Sequence, residues 1–231
     1  MNSLESELER ARDLDESALA DAIETIGFEC TRCGACCKAE SGGCGGDTDD
    51  RSESAPHTAT VFPDEIRQLQ AAGDYDFRDV ARPMPYGLDD GPDGPEGETF
   101  EWALQTDDCG DCTFYAEADD GTGACTVHED RPLICRTYPF SVALGGTSQP
   151  MGEAVDEEGL VRAHECEGLG RDISRDEAAA LAAALKERAV RELEEAIGVR
   201  DSYRPADPAD GEVVVHDSEG AKRPDGTPYE R

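Results

Sequence analysis

Apolar positions keep a helical rhythm near both ends of the chain and lose it in the middle. Leu4, Leu8, Ala11, Leu14, Ala18, Ala22, Ile23 and Ile26 form a rough stripe, as a helix with one buried face requires. The stripe predicts helix over residues 3–26, with Asn2 and Glu5 at capping-box spacing and Gly27 as the stop. Asp15 also suits the cap of a second helix, so a break there fits the pattern. Ala178, Leu181, Leu185, Ala189, Leu193 and Ile197 repeat the pattern. They predict a helix over 175–197, opened by Ser174 and Glu177 and closed at Gly198. A shorter helix is expected from Pro63 to about Ala72, with Gly73 as its stop.

Between these helices the alternation is brief. Residues 99–105, 138–144 and, more weakly, 159–163 read as strands. Residues 41–57 are rich in Gly, Asp and Ser, and residues 82–98 hold four prolines and four glycines, so both read as loops. The segment 199–231 is a polar tail, open to disorder, broken only by Val213 to Val215.

Charge changes this picture. The chain has 54 acidic and 21 basic residues and a net charge of −33. A basic face that could displace counterions from nucleic acid is not expected, nor is a polybasic membrane anchor. No apolar run reaches the length of a membrane span, and residues 1–15 lack the apolar core of an export signal. The sequence therefore predicts a cytoplasmic protein. Leu, Ile, Val and Phe make up only 37 of 231 residues, a level at which disorder is the default for a highly charged chain. Only three lysines occur, at 38, 186 and 222, against 18 arginines. Abundant acid, scarce lysine and many alanines fit adaptation to high salt, where a Debye length of about 3 Å mutes self-repulsion.

Ten cysteines supply what the thin core lacks. They stand at 30, 33, 36, 37, 44, 109, 112, 125, 135 and 166. The first four form C-x2-C-x2-C-C, too dense for core packing. Disulfides are rare in reducing cytosol, and neighbours this close reach disulfide geometry poorly. Metal or iron–sulfur ligation leads, with disulfides and metal-independent redox thiols as alternatives. Thiolates three residues apart can share one soft cation. Gly34 sits where a ligand loop bends. Cys36 and Cys37 are adjacent and expected to diverge, each serving a different metal or one of them packing. The spacing matches neither a zinc ribbon nor a two-cluster ferredoxin.

The downstream stretches C112-T-F-Y, C125-T-V-H-E-D-R-P-L-I-C135-R-T-Y-P-F and C166-E-G, taken with F28-E-C-T-R-C-G-A-C-C37, carry a resemblance. Across residues 28–168 the chain resembles the YkgJ-type cysteine-cluster family. That family is described as zinc- or iron-chelating, is often labelled Fe–S oxidoreductase, and is related to the cluster of the flagellin lysine N-methylase. The resemblance implies a metal-ligand set of Cys30, Cys33, Cys36, Cys37, Cys112, Cys125, Cys135 and Cys166. Cys44 and Cys109 fall outside it. His128 stands where the family usually has an aromatic residue, and His164 lies two before Cys166; for both, a role outside the ligand set is the leading reading. Arg131 and Arg136 are candidates to offset thiolate charge, while His57 and His216 carry no signal.

These readings combine into a small, irregular α+β domain stapled by metal, with a few short strands and a helix at each end. The expected divisions are a helix over 1–27, the cysteine-cluster domain over 28–170, a helix over 174–198 and the tail. Two cysteine-rich segments distant in sequence are expected to converge on one multinuclear site. The cofactor is an iron–sulfur cluster or zinc, with a redox or electron-transfer role and an unidentified protein or redox partner. A structural zinc module without catalysis is the first alternative. A lysine-methylase-like activity ranks last, because no glycine-rich cofactor loop is present.

Overall fold

The computed structural model describes residues 3–39, 55–92, 94–144, 152–154 and 159–230. In chain order its helices are α1 (Leu4–Arg12), α2 (Glu16–Ile26), α3 (Pro63–Ala72), α4 (Phe77–Val80), α5 (Leu133–Thr137) and α6 (Arg175–Ser202). Its strands are β1 (Thr60–Val61), β2 (Ala81–Pro83), β3 (Leu88–Gly91), β4 (Gly94–Thr99), β5 (Trp102–Leu104), β6 (Tyr115–Glu117), β7 (Gly123–Cys125), β8 (Phe140–Val142), β9 (Glu153–Ala154), β10 (Val161–Ala163), β11 (Val213–Asp217) and β12 (Gly220–Lys222). The protein is α+β, with helices near both ends and several small sheets. The chain divides into two compact units. Among the described residues, no helix is long and apolar enough to cross a membrane.

Unit 1 comprises Met1–Arg32 and Leu133–Ile197. The N-terminal stripe forms two helices, and Asp15 is the break. Its carboxylate accepts from the amides of Ser17 and Ala18 and caps α2. Ser3, not Asn2, caps α1, taking the Ser6 amide at 3.2 Å. Strand β10 pairs antiparallel with β8 and with β9. Leu8, Leu19 and Ile23 pack with Phe140 and Val161 and with Ala178, Leu185 and Leu193 of α6 into one apolar core. The Ser174–Glu177 capping box forms as expected.

Unit 2 comprises Cys33–Pro132 and Gly198–Arg231. It holds the sheets β1-β5-β2 and β12-β11-β4-β3 and the two-stranded β6-β7. Trp102, on β5, is buried, and its Nε1 donates to the Asp217 carboxylate at 2.8 Å. Lys222 pairs with the same carboxylate. Phe77 meets the Trp102 ring edge-on at 4.8 Å.

Three expectations change. Residues 82–98 are not an irregular connection: β3 and β4 form a hairpin whose register closes at Gly91 and Gly94. Gly94 has φ 130, which a glycine adopts without penalty. The 199–231 segment is not a bare tail. Its valine run is β11, paired in parallel with residues 97–99 of β4, and Val214 and Val215 are buried. That partner lies more than a hundred residues away, so local periodicity carried no trace of it. Gly198 does not stop α6, which continues to Ser202. A Cβ at Gly198 would collide with Ser218, so this glycine answers a close approach. Of the expected 41–57 loop, residues 41–54 lie outside the described residues.

Candidate metal centre

Among the described residues, eight cysteines are present as thiols: Cys30, Cys33, Cys36, Cys37, Cys112, Cys125, Cys135 and Cys166. Cys109 is in a disulfide, so the disulfide alternative holds at that position, which lies outside the ligand set implied by the resemblance. Cys44 lies outside the described residues.

In unit 2 the first motif folds as a tight turn. Gly34 adopts φ 77 and opens a 3-10 turn over Ala35–Cys37, closed by the Cys37 amide donating to the Gly34 carbonyl at 2.8 Å. Gly34 is required twice over. The left-handed backbone favours glycine, and a Cβ would run into the Tyr115 ring. Tyr115 Oη donates to Glu117 at 2.6 Å, Lys38 pairs with Glu117, and the Lys38 ammonium stands 5.2 Å from the Tyr115 ring centroid. The turn is thereby fastened to the β6–β7 hairpin, in which Tyr115 is paired with Cys125. The Cys112 amide donates to the Cys37 carbonyl at 2.8 Å. Asp107 organises the loop before Cys112, accepting from the Cys109 amide at 2.8 Å and the Asp111 amide at 3.0 Å. Asp111 in turn accepts from the Ala39 amide. Neither Asp107 nor Tyr115 stands out in the sequence as a site residue. The Asp-x-Cys-Gly-Asp order is the signal that an Asx turn was available.

The turn brings Cys36 and Cys37 together. Their Sγ atoms are 3.8 Å apart, so the expected divergence of adjacent side chains does not occur. Two thiolates about 2.3 Å from one tetrahedral ion stand about 3.8 Å apart. The pair therefore has the bite for a single zinc or iron, and its donor chemistry fits. The hydrogen bond with Cys37 and the charge of Arg131 outweigh burial and bring the Cys36 thiol down to about 7, so it supplies thiolate at neutral pH. Burial pushes Cys112 up to about 11. Burial also raises Cys125, with Arg131 acting the other way. Arg131 thus favours thiolate at Cys36 and Cys125, as its expected charge-offsetting role requires. The same guanidinium lies 3.2 Å from His128 Nε2, which occupies that ring nitrogen.

In unit 1 the segments around Cys30 and Cys166 run antiparallel. Phe28 bridges Leu169, the Glu29 amide donates to the Gly168 carbonyl, and Thr31 donates to Glu167. Cys166 Sγ accepts from the Gly168 amide at 3.5 Å. Cys135 is the middle residue of α5. Just beyond it, Tyr138 Oη donates to the Glu165 carbonyl at 3.1 Å, tying the end of α5 to the residue before Cys166. His164 packs its ring against Tyr138.

The unit boundaries cut both motifs, with Cys30 in unit 1 and Cys33 in unit 2, Cys125 in unit 2 and Cys135 in unit 1. Among the described residues, no group of three or more His, Cys, Asp or Glu side chains is arranged to hold a metal ion. The fixed element is the two-thiol bite at Cys36 and Cys37. His216, dismissed from sequence, is buried on β11 and lies 2.8 Å from Glu98. Burial works to raise the Glu98 carboxyl, but His216 and the amides of Ala206 and Asp207 outweigh it and hold it low.

The family model CxxCxxCC, described as a "Putative zinc- or iron-chelating domain", matches residues 29–167. No curated protein and no solved structure matches the chain.

Proposed function

The chain belongs to the CxxCxxCC family of zinc- or iron-chelating domains, and from that premise we propose that it works as a metal–thiolate protein with an electron-transfer role. The ligands come from Cys30, Cys33, Cys36, Cys37, Cys112, Cys125, Cys135 and Cys166. The observation that carries this reading is the 3.8 Å separation of the Cys36 and Cys37 Sγ atoms, the span of two thiolates on one tetrahedral ion. When bound, iron or an iron–sulfur cluster supplies a one-electron couple. The protein's own residues deliver thiolate at neutral pH, offset its charge through Arg131, and hold the turn on the β6–β7 hairpin. Cys30 and Cys36 are exposed, which leaves thiolate edges open to a redox partner.

A structural zinc module is the second reading, favoured by the same distance, because zinc sites are tetrahedral and thiolate-rich. In both readings cysteine ligation offsets chain entropy that a thin apolar core cannot.

Cobalt(II) titration of the metal-free protein tests the bite. The wild type develops thiolate-to-cobalt charge-transfer absorption, and Cys36→Ser and Cys37→Ser each lose most of it. A full-intensity band in both variants would remove the carrying observation.

A further inference from the structure

Arg188 is a cation buried in the apolar face of α6, with 9 % of its surface exposed. Its buried neighbours on that face are Ala184 and Leu185, one turn before it. Its ion-pair partner is Glu192 at 2.7 Å. Its other acceptors are neutral: Thr137 Oγ1 at 3.1 Å and the Phe140 carbonyl at 3.4 Å. A charge in such a place is a poor way to gain stability, since apolar side chains of similar volume often serve as well or better. What an apolar side chain cannot do is bind two acceptors at once.

Those two acceptors frame one piece of chain. Thr137 is fully buried, and its hydroxyl donates to the Leu133 carbonyl at 2.7 Å, closing the turn of α5 that has Cys135 at its centre. Phe140 begins β8. The planar guanidinium therefore holds the end of α5 and the start of β8 in one register. The intervening residue Tyr138 reaches the Glu165 carbonyl beside Cys166.

We propose that Arg188 is the positioning residue for the thiol of Cys135, fixing the orientation of α5 and, through Tyr138, its relation to the Cys166 segment. The proposal rests on the metal–thiolate reading only for its purpose. The placement of Cys135 is testable without metal.

The test compares the full chain with Arg188→Met, Arg188→Lys and Thr137→Val. The first readout is the rate at which iodoacetamide modifies Cys135 in metal-free protein, measured peptide by peptide with Cys30 as internal standard. The second is the cobalt(II)–thiolate absorption. With α5 released, Cys135 alkylation in Arg188→Met rises roughly tenfold, as loss of a charge-assisted hydrogen bond implies. Arg188→Lys rescues only in part, because Arg188 holds Glu192 through Nε while Nη1 reaches Thr137 and Phe140, a span that a single ammonium lacks. Thr137→Val, which keeps the shape but removes both the Arg188 acceptor and the donor to the Leu133 carbonyl, shifts the same rate in the same direction; should Arg188→Met fail to fold, Arg188→Lys decides the matter. An unchanged Cys135 rate in the variants that fold overturns the proposal. A raised rate with an intact cobalt band in both Arg188→Met and Cys135→Ser upholds the positioning and removes Cys135 from the ligand set.

Discussion

The two units hold their thiols by different physics. In unit 1, Cys30, Cys135 and Cys166 sit on segments braced by regular elements: a β-bridge, a short helix, and α6 with its apolar core behind them. In unit 2, Cys36 and Cys37 sit on a 3-10 turn, and Cys112 follows the Asp107–Asp111 turn and is bridged to Thr106. Those turns are fixed by Asp107, Asp111, the Lys38–Glu117–Tyr115 group and a left-handed glycine. Screening does not weaken apolar packing, whereas exposed ion pairs weaken as the Debye length shrinks. The comparison teaches that a chain with few large apolar residues can still place a thiolate bite accurately, by using turn chemistry where a core is lacking.

The largest test of this contrast removes the apolar support of unit 2. Trp102→Ala deletes its largest fully buried side chain and takes one hydrogen bond from the Asp217 carboxylate, which keeps Lys222. A loss of about 3–5 kcal/mol is expected in chemical denaturation. Gly34→Ala leaves the core alone and attacks the turn. Strain at φ 77 and the clash with Tyr115 together cost about 2 kcal/mol. The cobalt(II) band should weaken further than that loss of stability explains. Thiol reactivity in metal-free protein sharpens the same contrast. A Cys36 thiol at about 7 is thiolate above that pH, so its alkylation should fall as pH drops through 7. Cys112, at about 11, should stay protonated and unreactive across the neutral range. Lys38→Met has the smallest effect. Its pair with Glu117 is largely exposed, so well under about 1 kcal/mol is expected, and the difference should vanish in molar salt. A cost that persists in molar salt would mean that Lys38 acts by packing on Tyr115.

Helices announced themselves because their periodicity is local. Residues 63–72 formed with the bounds expected, and Asp15 marked its break through its own side chain. The strands near 102, 140 and 161 were legible from short alternation. The β3–β4 hairpin was hidden by its prolines and glycines, and β11 was hidden because a strand in a parallel pair needs a distant partner. At the candidate site, cysteine spacing was plain in the sequence. The convergence of Cys36 and Cys37 was not, because it depends on a 3-10 turn set by Gly34 and on the Tyr115 ring eighty residues downstream. Arg188 was equally invisible, since a basic residue in a helix normally reads as its solvated face.

Metal and acid-labile sulfide analysis of protein purified without oxygen in molar KCl, with an absorbance spectrum alongside, tests the central claim most directly. A coloured protein with bound iron and matching sulfide is the expected result; stoichiometric zinc without sulfide would keep the thiolate site while removing the electron-transfer role. A colourless protein with no bound metal and its thiols oxidised in pairs would contradict the account.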